Sequence, residues 1–187
     1  MKRLGLILVL WCFSMNNVNG QTNINTIKKF EHVDIGNLKN GFSMVDSING
    51  EEVAITLTLL NSKISNKQLT AINNFIENLA AIAAQNIKYI NEDFNGTKVG
   101  VVKEYIQHHL SEIPHEELNK LIGSHDEIKE SEKRLLSILK LKRVNIESDK
   151  EEVNAIFDYT IGTELTQYLI VVKTDREGNV IDLSVES

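Results

Sequence analysis

Cysteine and proline are almost absent, because the 187-residue sequence contains one of each. Cys12 lies in an N-terminal apolar run that we predict to be removed, so the mature chain has no thiol, no disulfide and no cysteine metal site. Its stability must then come from an ordinary apolar core. The single proline, Pro114, leaves no proline-rich linker between the patterned segments, and this favours one domain.

Basic residues are outnumbered by acidic ones, 20 to 26, which gives a net charge of −6. Removal of residues 1–20 takes away Lys2 and Arg3 and no acid, which leaves 18 basic and 26 acidic residues and a net charge of −8. Such acidity argues against nucleic acid and anionic membranes as partners. No second long apolar run follows the first, so the sequence predicts no transmembrane anchor after cleavage.

The start of the chain has the layout of a cleavable signal peptide. Lys2 and Arg3 give a positive charge, residues 4–13 are apolar, and residues 14–20 are polar and end on a small residue, Gly20. The apolar run is shorter than the ~20 residues that a membrane-spanning helix needs. We therefore predict cleavage after Gly20 and export to the periplasm or the medium. The alternative is an uncleaved anchor or an N-terminal core helix.

Residues 41–60 predict a β-hairpin. Asn49 and Gly50 lie between two strand-like runs and are the preferred pair for a two-residue turn. A turn of this length places Phe42 opposite Leu57. The same register collects the apolar side chains on one face: Phe42, Met44, Val53, Ile55, Leu57 and Leu59.

A long helix is predicted to follow this hairpin. It begins at Ser65, where Gln68 completes a capping box, and runs to about Asn91, stopping by Gly96. Its apolar residues recur at helical spacing: Leu69, Ile72, Ile76, Leu79, Ala83 and Ile90.

Three shorter helices follow, each marked by a local signal. We expect Thr97 to cap the second helix, which carries His109 on its apolar face. Pro114 suits the first turn of the third helix, and Gly123 can end it. The fourth helix is predicted over residues 131–140.

A strand at residues 141–147 and three strand-like runs in residues 151–187 complete the pattern. The order is ββ-αααα-ββββ, which predicts an α+β fold with an antiparallel sheet of about six strands and helices on one face. We assign residues 21–29 to a flexible spacer and residues 30–187 to a single α+β domain, with a short edge strand at residues 30–35.

The C-terminal strands are predicted to present two different faces. Pairing Thr174 with Val180 across the loop at residues 175–179, and taking residues 161–165 as the preceding loop, divides their side chains between these faces. The predicted core face holds Val153, Ala155, Phe157, Leu169, Val171, Ile181, Leu183 and Val185. The predicted outer face holds Ile156, Asp158, Thr160, Tyr168, Ile170, Val172, Asp182 and Ser184.

This outer face is neither plainly polar nor plainly apolar, whereas antiparallel sheets usually turn a polar face to water. Either another part of the chain covers it, or it is a surface for a partner. Under the second interpretation, the partner-binding residues are Ile156, Asp158, Tyr168, Ile170 and Asp182.

No motif for catalysis or cofactor binding is present in the sequence. No serine lies in a glycine-flanked elbow, and there is no glycine-rich phosphate loop. Asp158 and Asp182 share the predicted outer face, but the strand between them implies a separation of ~10 Å, which is wide for a hydrolytic pair. His108 and His109 point ~100° apart on a helix, and a hydrogen-bonded core histidine is the commoner role for His109. We predict no catalytic residue, no metal and no cofactor.

Two segments carry a family resemblance. The first is Phe-Asp-Tyr-Thr-Ile-Gly at residues 157–162, followed by Glu-Leu-Thr-Gln-Tyr-Leu-Ile-Val-Val at residues 164–172. The second is Val-Lys-Glu-Tyr-Ile at residues 102–106, followed by His109 and Leu110. Together they resemble an uncharacterised bacterial family, domain of unknown function number two thousand and four. That family has no established activity, so the resemblance implies no catalytic residue. By analogy, small acidic families of this kind suggest a toxin-neutralising role.

The sequence therefore predicts an exported, non-enzymatic domain that binds a protein. The alternative is a small hydrolase or small-ligand binder that uses carboxylates near Asp158. A third possibility is an envelope protein whose only role is assembly. The identity of the partner and the oligomeric state are left open.

Overall fold

The structure, a computed structural model, describes residues 27, 29–30, 41–60, 64–123, 127–149 and 152–187. In chain order the elements are β1 (Gly41–Ile48), β2 (Glu51–Leu59), α1 (Asn66–Asn95), α2 (Val101–Glu112), α3 (His115–Ile122), α4 (Ile128–Ser137), β3 (Lys140–Asp149), β4 (Glu152–Thr160), β5 (Leu169–Thr174) and β6 (Val180–Glu186). The predicted α+β class and element order are confirmed.

The strands form one sheet in the order β1 to β6. Every neighbouring pair is antiparallel except β2 and β3, which are parallel. The antiparallel prediction therefore holds for four of the five pairs. β2 and β3 differ because the chain passes through all four helices between them and re-enters the sheet at the end where β2 begins. We call the side that α1 and α2 cover the helix face and the other side the outer face.

The β1–β2 hairpin has the predicted register. Asn49 and Gly50 occupy the turn with φ angles of 52° and 87°, the left-handed region that these two residues tolerate. Phe42 lies opposite Leu57, as expected. Val53, Ile55 and Leu57 are fully buried on the helix face, so the alternation of apolar and polar residues did determine which side of β2 is covered.

The long helix α1 begins where its cap predicts. The Ser65 hydroxyl accepts a hydrogen bond from the Gln68 backbone N–H at 3.1 Å. The Gln68 side chain, however, donates to the buried Ser148 hydroxyl on β3 at 2.8 Å, so this residue ties the helix to the sheet. All six predicted core positions of the helix are buried: Leu69, Ile72, Ile76, Leu79, Ala83 and Ile90.

The second helix starts later than predicted. α2 begins at Val101, and its first turn is capped from α1, because the Asp93 carboxylate accepts a hydrogen bond from the Val102 N–H at 2.8 Å. Thr97 therefore does not cap this helix, and Val99 is 62% exposed. The sequence could not show this cap, since donor and acceptor lie on different helices.

Local signals place α3 well and α4 approximately. Pro114 immediately precedes α3, and Gly123 ends it with a φ of 81°. α4 occupies residues Ile128–Ser137, which is three residues earlier than expected at each end. Leu135 is its fully buried anchor.

β5 and β6 are joined by a turn followed by a β-bulge. Thr174 pairs with Val180, as predicted, but Lys173 pairs with Asp182, which leaves Ile181 as an extra residue. An extra residue shifts every later pair by one position and so exchanges the faces of one strand relative to the other. Ile181, predicted to be in the core, is consequently 62% exposed.

The predicted faces of β5 are therefore wrong. Phe157 lies opposite Val172, because the loop at residues 161–168 is longer than the loop assumed from the sequence. Ile170 and Val172 point to the helix face and are fully buried. The outer side of β5 instead carries Leu169, Val171 and Lys173.

The N-terminal segment enters the core earlier than expected. Ile27, which was predicted to lie in a flexible spacer, is fully buried. Phe30 is also buried, and both residues belong to the apolar core. The Lys29 ammonium between them forms an ion pair with Asp46 on β1. The predicted signal peptide and nearly all of the edge strand at residues 30–35 lie outside the described residues. No helix in the described part of the chain combines the length and apolarity needed to cross a membrane.

Candidate functional site

The predicted partner-binding residues do not form one surface. Ile156, Asp158 and Asp182 lie on the outer face. Ile170 is fully buried on the helix face, where it contributes to the core. Tyr168 lies beside α2 and is 37% exposed. The register of β5 thus splits the predicted site and leaves Tyr168 at a different place from the carboxylates.

The two outer-face aspartates each lie beside a cation, and the two cations are different residues. The Asp158 carboxylate lies 2.5 Å from Nε of Arg143, and Asp158 is only 4% exposed. Asp182 lies 3.7 Å from the Lys173 ammonium. Asp158 does not line any of five cavities of about 350 to 510 Å³ formed by the described residues. This geometry favours charge pairing across strands over a role as an acid–base pair.

Tyr168 lies instead in a groove between α2, the loop at residues 161–168 and β6. Two adjoining cavities of about 510 and 420 Å³ share Tyr168, His108 and His109. We call this surface the α2 groove. The first cavity is completed by Val101, Glu104, Tyr105, Leu183, Ser184 and Val185, and the second by Glu112, Ile113, Pro114, Glu117, Glu164, Leu165, Thr166 and Gln167.

His109 fixes the loop to the helix at the floor of the groove. Its Nδ1 is 2.7 Å from the Tyr105 carbonyl oxygen, and its Nε2 is 2.8 Å from the Thr166 hydroxyl. Because a carbonyl only accepts, Nδ1 carries the proton and Nε2 accepts from Thr166. The Thr166 oxygen in turn accepts from the Tyr168 N–H at 3.0 Å. This chain of hydrogen bonds runs from α2 to the backbone of Tyr168 and holds it in place.

Burial keeps His109 neutral. Desolvation lowers the pKa of His109 below its ordinary value of 6.5, and the nearby His108 lowers it further, against the opposing effect of the hydrogen bond to Tyr105. The neutral imidazole is the form that can accept from the Thr166 hydroxyl. The expectation that His109 is a hydrogen-bonded residue of the apolar face is confirmed.

Aromatic rings line the groove above this network. The Tyr168 ring makes an edge contact with His108 at a centroid distance of 5.5 Å and with His109 at 6.0 Å. The Tyr105 ring lies 4.2 Å from the His109 ring, and its hydroxyl is 3.4 Å from the Tyr168 carbonyl oxygen. Tyr168 is therefore a supported aromatic side chain whose exposed part faces the groove.

The charges around the groove are of one sign. Among the described residues, its lining includes four glutamates and no lysine or arginine; the glutamates are Glu104, Glu112, Glu117 and Glu164. The cavity lined by α1 and α4, by contrast, includes Lys133. Among the described residues, no three histidine, aspartate or glutamate side chains converge as metal ligands. The groove is thus an acidic, aromatic surface.

The groove also borders a free edge of the sheet. β6 is the last strand in the sheet, so one of its edges pairs with no other strand among those the structure describes. Leu183 is half-buried and Val185 is 39% exposed where the strand lines the groove. Beyond the bulge, the pairing of β6 with β5 is regular up to Glu186. An edge of this kind offers backbone N–H and C=O groups to an added strand.

Sequence reasoning found Tyr168 and His109 but missed the groove that joins them. One signal was present, because Tyr105, His108, His109 and Glu112 recur at the spacing of one helix face. The contribution of β6 and the loop could not be inferred, since it depends on the bulge and on the loop length. No family model matches the chain, and neither a curated protein nor a solved structure shows significant similarity to it. The family resemblance therefore stays a prediction.

Proposed function

We propose that this chain is an exported, non-enzymatic binding domain that takes an extended segment of a protein partner in the α2 groove. One observation carries the proposal: two contiguous cavities meet at Tyr168, beside the edge of β6 that pairs with no other described strand. Cavities of about 420 and 510 Å³ are within the range of binding sites. Tyrosine is among the residues that most often dominate binding energy at protein interfaces.

The hydrogen bonding of the groove supports binding over catalysis. The Thr166 hydroxyl lies at the distance from His109 that a nucleophile takes from its base. The same oxygen also accepts the Tyr168 N–H, however, and a neutral backbone carbonyl, that of Tyr105, takes the place at Nδ1 where a carboxylate would stabilise an imidazolium. This arrangement positions the loop and the aromatic ring. The alternative use of carboxylates near Asp158 has less support, because that carboxylate is buried against Arg143.

Selection from a phage-displayed library of random linear peptides tests the proposal. Peptides selected on the purified protein are expected to lose at least ~tenfold in affinity on the Tyr168→Ala variant, because truncating a central aromatic residue typically has this effect. Ile156→Ala, on the outer face, is the matched control and should leave their affinity unchanged. Both variants must retain the cooperative urea transition of the parent.

Two outcomes would overturn the proposal. The first is a library that yields no binding peptide after repeated selection on the folded protein. The second is a set of peptides whose affinity falls with Ile156→Ala and not with Tyr168→Ala, which would return the site to the outer face predicted from the sequence.

A further inference from the structure

We infer that the segment bound in the α2 groove is cationic and that it adds a strand to the open edge of β6, with a lysine or arginine side chain over Tyr168. This inference rests on the proposed function and specifies the chemistry of its partner. It follows from three features of the described residues: the alternation of side chains along β6, the sign of the charge on both sides of that strand, and the position of the Tyr168 ring.

The alternation of β6 determines which side chains of an added strand would enter the groove. Val185 pairs with Ile170 and Leu183 pairs with Val172, so both point to the helix face. Ser184 lies between them on the other side of the strand. A strand added to this edge would repeat the alternation, because successive side chains of a strand point to opposite faces. Every second side chain of the segment would therefore lie against the α2 groove.

Negative charge lies on both sides of this edge. On the groove side, Glu104 lines the cavity that reaches β6, and the other three glutamates line the cavity beyond Tyr168. On the outer side, Asp182 and Glu186 lie 3.7 and 3.6 Å from the same ammonium, that of Lys173. Two carboxylates thus share one cation there. A segment with basic side chains would be attracted to either side, whereas an acidic one would be repelled from both.

Tyr168 offers the groove a place for a cation. The Tyr168 and His108 rings are nearly perpendicular, with an interplanar angle of 88°, and Tyr168 is 37% exposed. A lysine or arginine that stacks over a tyrosine face gains a cation–π interaction. Charged residues at an edge strand can also serve only to prevent aggregation, and the experiment below separates that role from binding.

Two blocked seven-residue peptides test the inference, since β6 has seven residues. One alternates valine with lysine and the other valine with glutamate, and each carries a fluorophore for anisotropy. At about 50 mM salt, where exposed charges are weakly screened, the lysine peptide should bind at least tenfold more tightly than the glutamate peptide. A lysine peptide with N-methylated backbone amides on the pairing side should bind at least tenfold more weakly than the unmethylated one, because methylation removes the N–H donors that strand pairing needs.

Matched charge variants locate the binding. Glu104→Gln and Glu117→Gln are each expected to weaken binding of the lysine peptide by threefold or more. Glu92→Gln, which removes the same charge from an exposed position on α1, should not weaken it. If both glutamine substitutions in the groove act no more strongly than Glu92→Gln, the attraction is only that of an acidic protein and the inference fails.

The remaining outcomes separate the inference from the proposed function. Equal binding of the two peptides, or no binding of either while library-selected peptides still depend on Tyr168, would overturn the cationic partner and leave the groove as the binding site. Full affinity of the N-methylated peptide would overturn strand addition. Failure of the library selection itself would overturn both.

Discussion

The middle of the helix face and its end at β6 differ in how completely helices cover them. Over the middle of the sheet, α1 leaves Ile55, Val144 and Phe157 fully buried. At the β6 end, α2 packs against β6 and still leaves Val185 39% exposed. The difference follows from length, since α1 has 30 residues and α2 has 12. Stability is therefore concentrated under α1, and the surface available for binding lies where the cover ends.

The largest effect should come from a charge placed under the covered part of the sheet. Ile170→Asp puts a carboxylate at a fully buried, apolar site, so we expect the cooperative transition in urea to be lost, a change of at least ~4 kcal/mol. The same charge at exposed Ile181 should change the free energy of unfolding by less than ~0.5 kcal/mol. Similar losses of unfolding free energy from both variants would show that the two sites are equally packed.

A glycine in the β5–β6 turn, packed against α1, gives the next largest effect. Gly178 has a φ of 83°, and a Cβ added there would lie 2.7 Å from Cγ1 of Ile82 on α1. Gly178→Ala should lower the free energy of unfolding by about 3 kcal/mol, from backbone strain and overpacking together. Gly50 has a φ of 87° and no atom within 4 Å of such a Cβ. Gly50→Ala should therefore lower the free energy of unfolding by the backbone strain alone, about 1 kcal/mol. Equal values would mean that the β5–β6 turn is not held against α1.

The hydrogen bonds of His109 predict a pH dependence of stability. Burial lowers the pKa of His109 in the folded protein, so the unfolded chain binds more protons as the pH falls below 6.5. Stability is then fully present above that pH and decreases as the pH is lowered toward the folded-state pKa. His109→Gln should remove this decrease and lower the free energy of unfolding by about 2 kcal/mol at pH 8.

Urea melts between pH 5 and pH 8 provide the measurement for His109. His108→Gln is the control, because exposed His108 lowers the pKa of His109 less than burial does. The parent and His108→Gln should lose stability on acidification, and His109→Gln should lose less. Parallel pH profiles for all three proteins would contradict the assigned protonation state.

The smallest expected effect is an increase in the free energy of unfolding. The Thr174 hydroxyl is buried and has no hydrogen-bond partner among the described residues, so Thr174→Val should raise the free energy of unfolding by about 1 kcal/mol. Thr160→Val is the matched control, since the Thr160 hydroxyl accepts from the Gly162 N–H at 3.1 Å and its removal should be destabilising. Thermal melts of the two variants should shift in opposite directions, and a loss of stability in Thr174→Val would show that its hydroxyl is satisfied.

The predictable parts of the fold are those that neighbouring residues specify. Asn49 and Gly50 determined the hairpin and its register, and Ser65 determined the start of α1. Pro114 and Gly123 bounded α3. In each case the chemistry acts over a few residues, so a local pattern contains the whole cause.

The errors arose where the cause lies elsewhere in the chain. The cap of α2 comes from Asp93 at the end of α1, and Thr97 has no part in it. The face of Ile170 depends on the bulge at Ile181 and on the length of the preceding loop. A change of one residue in either exchanges the two faces, and the alternation of β5 offered no correction because apolar residues occupy both of its sides.

Periodicity and turn chemistry are encoded residue by residue, and they were enough to predict the α+β class, the order of the elements, the hairpin register and the apolar stripe of α1. The position of Tyr168 beside His109 and the β6 edge, and the pairing of Asp158 with Arg143, came from the folded chain alone. These contacts depend on strand pairing, which is non-local. Its register decides which side chains meet, and no local pattern encodes a register that a bulge and a long loop set together.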